Sequence, residues 1–378
     1  MTSRRKGTIS FMKRYITKWL CIMFSTILLL GIVGCMQTAV EPEPGEQTSA
    51  PVGSGGEDTV IVIGTPETII QNPVPAEATD TPEPTATPEP TPAATRAPIE
   101  GDICIDRFPN YDTGTDADWS YQSDEVRIAV KRVTINPGEP DQNICYVADI
   151  WVRNINNIRM GFGHGKFNSG PEDPEKFATR ERAILATNGT MNTGLVIHNG
   201  TVVKKSIDRK SHIFRMGVVI LYRDGTVKMI NRYKNESYDY KKENAQHGGI
   251  WQALQFGPVL VQNGEIQSKL NNTSTRARTV FGYYEPGHYA LVTVDWGTKE
   301  SVGMSPQECA ELLASLGCTD AINLDGGQST SMVFMGKRIN AKPQSERTTL
   351  DMILIAEYDA DGVAPELTDL PAENVRGN

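Results

Sequence analysis

In residues 288–327, HYALVTVDWGTKESVGMSPQECAELLASLGCTDAINLDGG, a β-rich run ends in Asp295-Trp296-Gly297, a helical segment follows, and a second apolar run ends in Asp325-Gly326-Gly327. Ser305-Pro306-Gln307-Glu308 supplies a capping hydroxyl, a proline at the first helical position and a reciprocal acid at the third. Cys309, Leu312, Leu313 and Leu316 recur at helical spacing, and Gly317 ends the helix. Strand, crossover helix and strand make a β-α-β element whose parallel strands finish at Asp295 and Asp325. Ligands collect at that edge of a sheet, so a polar site is expected there.

Upstream, β signals dominate. VRIAVKRVTI (126–135) and ICYVADIWV (144–152) are separated by the turn-forming NPGEPDQN. LVIH and TVVK flank Asn199-Gly200, and MGVVILY and VKMI flank Arg223-Asp224-Gly225-Thr226, each with the signal of a tight hairpin. Further strands are expected over 258–262, 278–284 and 288–295. The expected fold is α+β, a mixed, largely antiparallel sheet system with a β-α-β element near a C-terminal site. It occupies residues 99–358, and 359–378, which lack aromatics, are expected as a fraying surface tail.

The N-terminal third is different in kind. Residues 1–35 carry Arg4, Arg5, Lys6, Lys13, Arg14 and Lys18 and no acid, ahead of the apolar WLCIMFSTILLLGIVGC. This is the order of a secretory signal, and Ile32-Val33-Gly34-Cys35 resembles a bacterial lipobox. Lipid on Cys35 is therefore expected, with an uncleaved membrane anchor as the alternative; either leaves the remainder on the extracytoplasmic face of a bacterial membrane. Residues 36–98 contain 12 of the 23 prolines and no aromatic, so they are expected as a disordered Pro/Thr/Glu-rich tether.

The net charge of -9 leaves only modest acidity on residues 100–378, which excludes a field that gathers nucleic acid. No obligate protein partner is inferred. With Cys35 lipidated and Cys21 removed, Cys104, Cys145, Cys309 and Cys318 remain, and no CxxC pair supports a zinc cluster or a thiol redox site. Cys309 and Cys318 are separated by about 13 Å of helical rise, beyond disulfide reach. A disulfide between Cys104 and Cys145 is left open.

Leu324-Asp325-Gly326-Gly327-Gln328-Ser329-Thr330-Ser331 combines an acid, two permissive glycines and several hydroxyls. Asp325 can act as acid, base or metal ligand while the glycine amides approach a substrate; the same string also makes an ordinary turn whose aspartate caps nearby amides. Asn188-Gly189 ends a short apolar run, where the amide can orient a sugar or phosphoryl oxygen or close a turn. Arg278 begins a strand and can hold a phosphate in bidentate fashion. Among five histidines none forms HExxH, and His247, followed by two glycines, is the one placed to carry a proton or donate to phosphate. No G-x-S-x-G elbow or phosphate loop is present.

Several of these stretches form an ordered set: Asn188-Gly189 after an alanine-rich strand, Gln252 to Leu260 with Asn263-Gly264, Arg278-Thr279 with Gly282, Val294-Asp295, Gly303-Met304 with Glu308, Asn323 to Thr330, and Arg347 before a final apolar strand. In this order they resemble the phosphodiester glycosidase domain family over about residues 180–357. Thr190-Met191-Asn192 stands where that family has aromatics, and Gln328 where it has a third glycine. The resemblance implies hydrolysis between an anomeric sugar carbon and a phosphate, in a sugar phosphodiester such as an α-N-acetylglucosamine-1-phosphodiester or an envelope glycan. It implies that Arg278, with Arg347 as a second candidate, neutralises the phosphate, that Asp325 or a nearby carboxylate activates water, and that Asn188 and Asn323 orient the substrate, with Gly189, Gly326, Gly327 and Ser329 lining it. Asp295 and Glu308 are the candidate second carboxylates, although the Ser305 cap accounts for Glu308. No organic cofactor is expected; calcium or magnesium at Asp325 is left open. The competing expectation is a noncatalytic glycan-binding module that uses the same groups.

Overall fold

The computed structural model describes residues 59–61, 108 and 117–377, apart from 193, 209–215, 269, 271–272, 344 and 360. The lipidation site Cys35, most of the 36–98 tether and Cys104 lie outside the described residues. Along the chain run β1 (Thr59–Ile61), β2 (Trp119–Gln122), β3 (Val126–Ile135), β4 (Asn143–Val152), β5 (Ile158–Phe162), α1 (Pro174–Arg180), β6 (Leu185–Asn188), β7 (Val196–His198) and β8 (Thr201–Lys204). They are followed by β9 (Gly217–Tyr222), β10 (Val227–Asn231), α2 (Tyr240–Asn244), β11 (Ile250–Phe256), β12 (Val259–Gln262), β13 (Glu265–Ile266), β14 (Arg278–Glu285) and β15 (His288–Val294). The chain closes with α3 (Pro306–Ser315), β16 (Asp320–Asn323), β17 (Met332–Phe334), β18 (Lys337–Arg338), β19 (Asp351–Ile355) and β20 (Val375–Arg376).

These strands form three sheets. The largest has the order β13-β12-β16-β14-β15-β4-β3-β2-β20 with β1 beside β3; the second is β10-β9-β11-β7-β8 and the third β18-β17-β6-β19-β5. Their inner faces share one core, to which Ile128, Ile150, Phe281 and Leu291 come from the first sheet, Val219, Leu221 and Leu254 from the second, and Leu185, Phe334 and Ile353 from the third. Helix α3 covers the outer face of the large sheet through Cys309, Leu312 and Leu313. Helix α1 covers the third sheet through Phe177 and Ala178.

The expected β-α-β element is present, and it is split. β14 pairs antiparallel with both β15 and β16, so those two run parallel with β14 between them, and α3 crosses over it. The capping box is complete: Glu308 N–H donates to Ser305 Oγ at 3.3 Å and Ser305 N–H donates to Glu308 Oε2 at 2.7 Å, a device worth about 1 kcal/mol. Gly282 is what lets the helix settle, since a Cβ there would lie 2.8 Å from Cys318 Sγ and 3.0 Å from Leu313 Cδ1. The consequence for function is directional. Asp295, Asp325 and the start of β14 all lie at one end of the sheet.

Both flanks contribute short strands to the large sheet. Residues 359–378 do not simply fray, because β20 pairs with β2 through Ser120 and Tyr121 while Leu367, Leu370 and Val375 pack against the central core. Within the stretch expected as tether, Thr59–Ile61 pairs in parallel with Val133–Ile135. Cys145, Cys309 and Cys318 are buried free thiols. Among the described residues no helix is long and apolar enough to cross a membrane.

Candidate active site

The seam between the large sheet and the third sheet brings four chain segments together. Asn188, the last residue of β6, donates from Nδ2 to the Asp325 carbonyl at 2.7 Å, while its Oδ1 accepts from Thr279 Oγ1 at 2.7 Å and from Ser331 N–H at 3.0 Å. The Asp325 N–H in turn donates to the Gly189 carbonyl at 3.0 Å. Asn188 is fully buried. It is therefore the fastener that holds the Asp325 loop in place.

Asp325 lies two residues beyond the end of β16. Its side chain keeps about 12% accessibility, and Arg347 Nη2 lies 3.7 Å from its Oδ2. Arg347 also donates to Ser329 Oγ at 3.0 Å, so the guanidinium bridges the acid and the hydroxyl. Burial raises the Asp325 pKa above the ordinary carboxylate range; hydrogen bonds from Ser329 and the Gly326 amide and the charge of Arg347 oppose this. The Arg347 side chain is half exposed. Acid, hydroxyl and cation thus meet where solvent can enter.

A second acid stands behind them. Asp351, the first residue of β19, is fully buried. Its Oδ1 accepts from Thr190 N–H at 2.8 Å and Met191 N–H at 2.9 Å, and its Oδ2 accepts from Thr190 Oγ1 at 2.9 Å. Burial pushes its pKa up to about 6, with the neighbouring Asp325 acting in the same direction. Nothing in the local pattern singled this residue out, although an acid opening the all-apolar strand Asp-Met-Ile-Leu-Ile is an anomaly that could have done so.

The remaining expected residues are placed as follows. Arg278 and Thr279 point to opposite faces of β14 by strand alternation, and since Thr279 reaches Asn188, Arg278 turns toward the start of α3. There its Nε donates to the Met304 carbonyl at 2.8 Å and its Nη2 to the Ser274 carbonyl at 2.7 Å. The structure does not bring Arg278 to Asp325; the cation it brings is Arg347. Asp295 sits at the correct end of the sheet, but its Oδ1 accepts the Ala341 N–H at 3.0 Å and it buttresses the segment that leads to Arg347. Burial pushes its pKa up to about 6.

Asn323 donates to the Gly257 and Leu324 carbonyls at 3.1 and 2.8 Å, anchoring the turn between β11 and β12. The glycines are also engaged internally. Gly326 has no room for a side chain because a Cβ would lie 2.6 Å from the Ala277 carbonyl oxygen, its amide bonds the Asp325 carboxylate, and the Gly327 N–H donates to Ala277 at 2.8 Å. Neither amide is left for a phosphate. The structure places His247 elsewhere: its Nδ1 lies 2.7 Å from Asp224 Oδ2 on the surface. It lines a cleft of about 530 Å3 together with Asp320, the residue that starts β16, whereas Asp325 follows that strand's other end.

The arrangement offers one partly accessible acid, one half-exposed cation paired with it and one buried acid, which suits acid-base chemistry on a substrate with an anionic group. Among the described residues no group of three or more His, Cys, Asp or Glu could hold a metal ion. Residues 175–356 match the phosphodiester glycosidase family model. That span contains every residue of the cluster just described. The match is a similarity to that family over this stretch of the chain.

Two curated proteins are similar to about half of the chain. A prophage-derived uncharacterized protein of Bacillus subtilis is 26% identical over 194 residues, covering 49% of this chain and 29% of the relative. Human N-acetylglucosamine-1-phosphodiester alpha-N-acetylglucosaminidase is 29% identical over 188 residues, covering 47% of this chain and 32% of the relative. The matched region thus spans less than a third of each relative's length. Among solved structures, the zebrafish N-acetylglucosamine-1-phosphodiester alpha-N-acetylglucosaminidase catalytic domain, auto-inhibited by its pro-peptide, superposes with a TM-score of 0.48 at 19% identity, covering 65% of this chain and 85% of that one.

Proposed function

We propose that the domain is a glycosidase that hydrolyses the bond between an anomeric sugar carbon and phosphate in a sugar phosphodiester, such as an α-N-acetylglucosamine-1-phosphodiester or an envelope glycan. The observation that carries this reading is Arg347, half exposed and standing 3.7 Å from the Asp325 carboxylate. A guanidinium so placed can engage a phosphate on its outer edge while Asp325 takes the proton of an attacking water. Phosphate is a competent leaving group, so neutralising its charge matters more than protonating it strongly. Ser329 accepts the Arg347 hydrogen bond and itself hydrogen-bonds the Asp325 carboxylate, linking cation and acid.

Release of free sugar from a defined α-N-acetylglucosamine phosphodiester tests the reaction. Arg347→Ala is expected to raise KM by about 10- to 100-fold, the worth of a charge-assisted hydrogen bond. An unchanged KM would remove Arg347 from the phosphate site. Protein that binds the compound and never releases sugar supports the binding-module reading instead.

The substrate class also suits a chain held at the outer face of a bacterial membrane by lipid on Cys35, which the basic start, apolar run and Ile32-Val33-Gly34-Cys35 support. Intact-mass measurement after expression in a lipoprotein-processing bacterium is expected to show loss of residues 1–34 and a diacylglyceryl-sized addition. A product that keeps those residues would favour the uncleaved anchor.

A further inference from the structure

Asp320 opens β16, and Asp325 stands beyond that strand's other end, roughly 16 Å away along an extended chain. Where Asp320 stands, the large sheet meets the β9–β10 hairpin of the second sheet in the cleft of about 530 Å3 that His247 lines. That volume lies in the range of about 300–1,000 Å3 common to small-molecule sites. Asp320 pairs directly with Tyr283 of β14, so its carboxylate and the tyrosine ring share one face of the sheet. The residue is 8% exposed, and its Oδ1 accepts the Asn263 N–H at 3.4 Å. Burial raises its pKa while that N–H and the Thr319 hydroxyl oppose the rise, and it forms no ion pair among the described residues. A carboxylate has about four acceptor positions, so Asp320 keeps some that the fold does not use.

The other wall comes from the second sheet and the segment before β11. His247 Nδ1 is engaged by Asp224, which leaves Nε2 as the ring nitrogen a ligand would meet. Lys228 carries the one ammonium among the lining residues, and both Glu243 carboxylate oxygens hold it at 2.9 Å. Asp224 is likewise engaged, by His247 and by the Thr226 amide and hydroxyl. Asp320 is then the charge left without a counter-ion, and it stands among neutral groups, such as the Asn263 and Gln246 amides, that both donate and accept. An anion meets Asp320 there and finds no free ammonium. An ammonium ligand offers donors only, whereas a sugar hydroxyl donates and accepts as the lining does.

We propose that this cleft is a second, noncatalytic binding site for an uncharged saccharide. Asp320 accepts from sugar hydroxyls in the charge-assisted bonds that anchor the ligand. The Tyr283 ring beside it takes the apolar C–H face of the sugar, and His247 Nε2 and the Asn263 amide meet the remaining hydroxyls. Neither Asp325 nor Arg347 lines the cleft, so it is distinct from the site proposed above for the reaction.

With five histidines in the chain, the His247 imidazole NMR resonance is assigned by its loss in His247→Asn, since asparagine tolerates the left-handed backbone at φ 51°. Titration of the full-length chain at constant pH with N,N′-diacetylchitobiose, cellobiose and maltose is expected to shift that resonance along a saturable curve with at least one of them. Asp320→Asn is expected to weaken the same titration about 10-fold or more, the worth of a charge-assisted hydrogen bond. An Asp320→Asn curve equal to wild type overturns the proposal. So does a His247 resonance that none of the three disaccharides moves, whether or not spermidine or inorganic phosphate moves it. If Asp320→Asn does not fold, the wild-type titrations decide. The readout needs no turnover, so a chain that releases no sugar from a phosphodiester loses the reaction assignment while this site is still decided.

Discussion

Asp325→Asn is expected to lower kcat for sugar release by about 100- to 10,000-fold, the range lost when a general acid or base is removed, with KM changed little because Arg347 and Ser329 remain. The amide is nearly the same size, and its oxygen can still accept the Gly326 N–H that now bonds the carboxylate. Stability moves the other way. A carboxyl whose folded pKa is raised makes its contribution below its unfolded pKa and loses it as pH rises through the folded value. At neutral pH the wild-type protein therefore holds Asp325 at a cost, and the neutral amide is expected to keep or raise Tm. A folded Asp325→Asn protein with near-wild-type turnover would falsify the catalytic role.

Gly189→Ala is expected to destabilise the domain by roughly 2 to 4 kcal/mol, the sum of overpacking and disturbed buried hydrogen bonds. The added Cβ would lie 2.8, 2.9 and 3.0 Å from Asp351 Cγ, Oδ2 and Oδ1, and these atoms cannot retreat without breaking the bonds to Thr190 and Met191. Thermal or denaturant unfolding measures the loss. In the double variant Gly189→Ala/Asp351→Ala the second substitution removes the group that clashes, so the two effects should fall short of additivity by at least 1 kcal/mol. Strict additivity would show that the pair does not pack as described. Asp351 shares the pH logic of Asp325. Its contribution is complete below the unfolded value of 3.8 and is lost as pH rises through about 6, so Asp351→Asn should flatten the decline in stability over that window.

How far these features could be seen in the chain alone follows from how local their causes are. The capping box at Ser305 and Glu308 and the strand ends at Asp295 and Asp325 each depend on a few adjacent residues, and all stand as expected, the crossover helix included. Arg278 shows the limit. Its position at the start of β14 was legible, but which face it occupies depends on where Thr279 is anchored, and that anchor is Asn188, far away in sequence. His247 misled for a related reason. The glycines after it suggested backbone approach to a ligand, whereas Gly248 and Gly249, at φ 75° and 102°, turn the chain into β11 and leave the ring paired with Asp224.

Hydrophobic period, turn chemistry and helix capping are short-range quantities, so the sequence by itself determined the strands, the α3 crossover and the sheet edge at which Asp325 stands. Tertiary structure alone decided that β14 lies between β15 and β16, and that Arg347 rather than Arg278 faces the acid. It also decided that Asp351 is its buried neighbour. Those outcomes follow from the meeting of two sheets at Asn188 and Gly189, where hydrogen-bond demand in a dry seam and the absence of a single side chain select the partners.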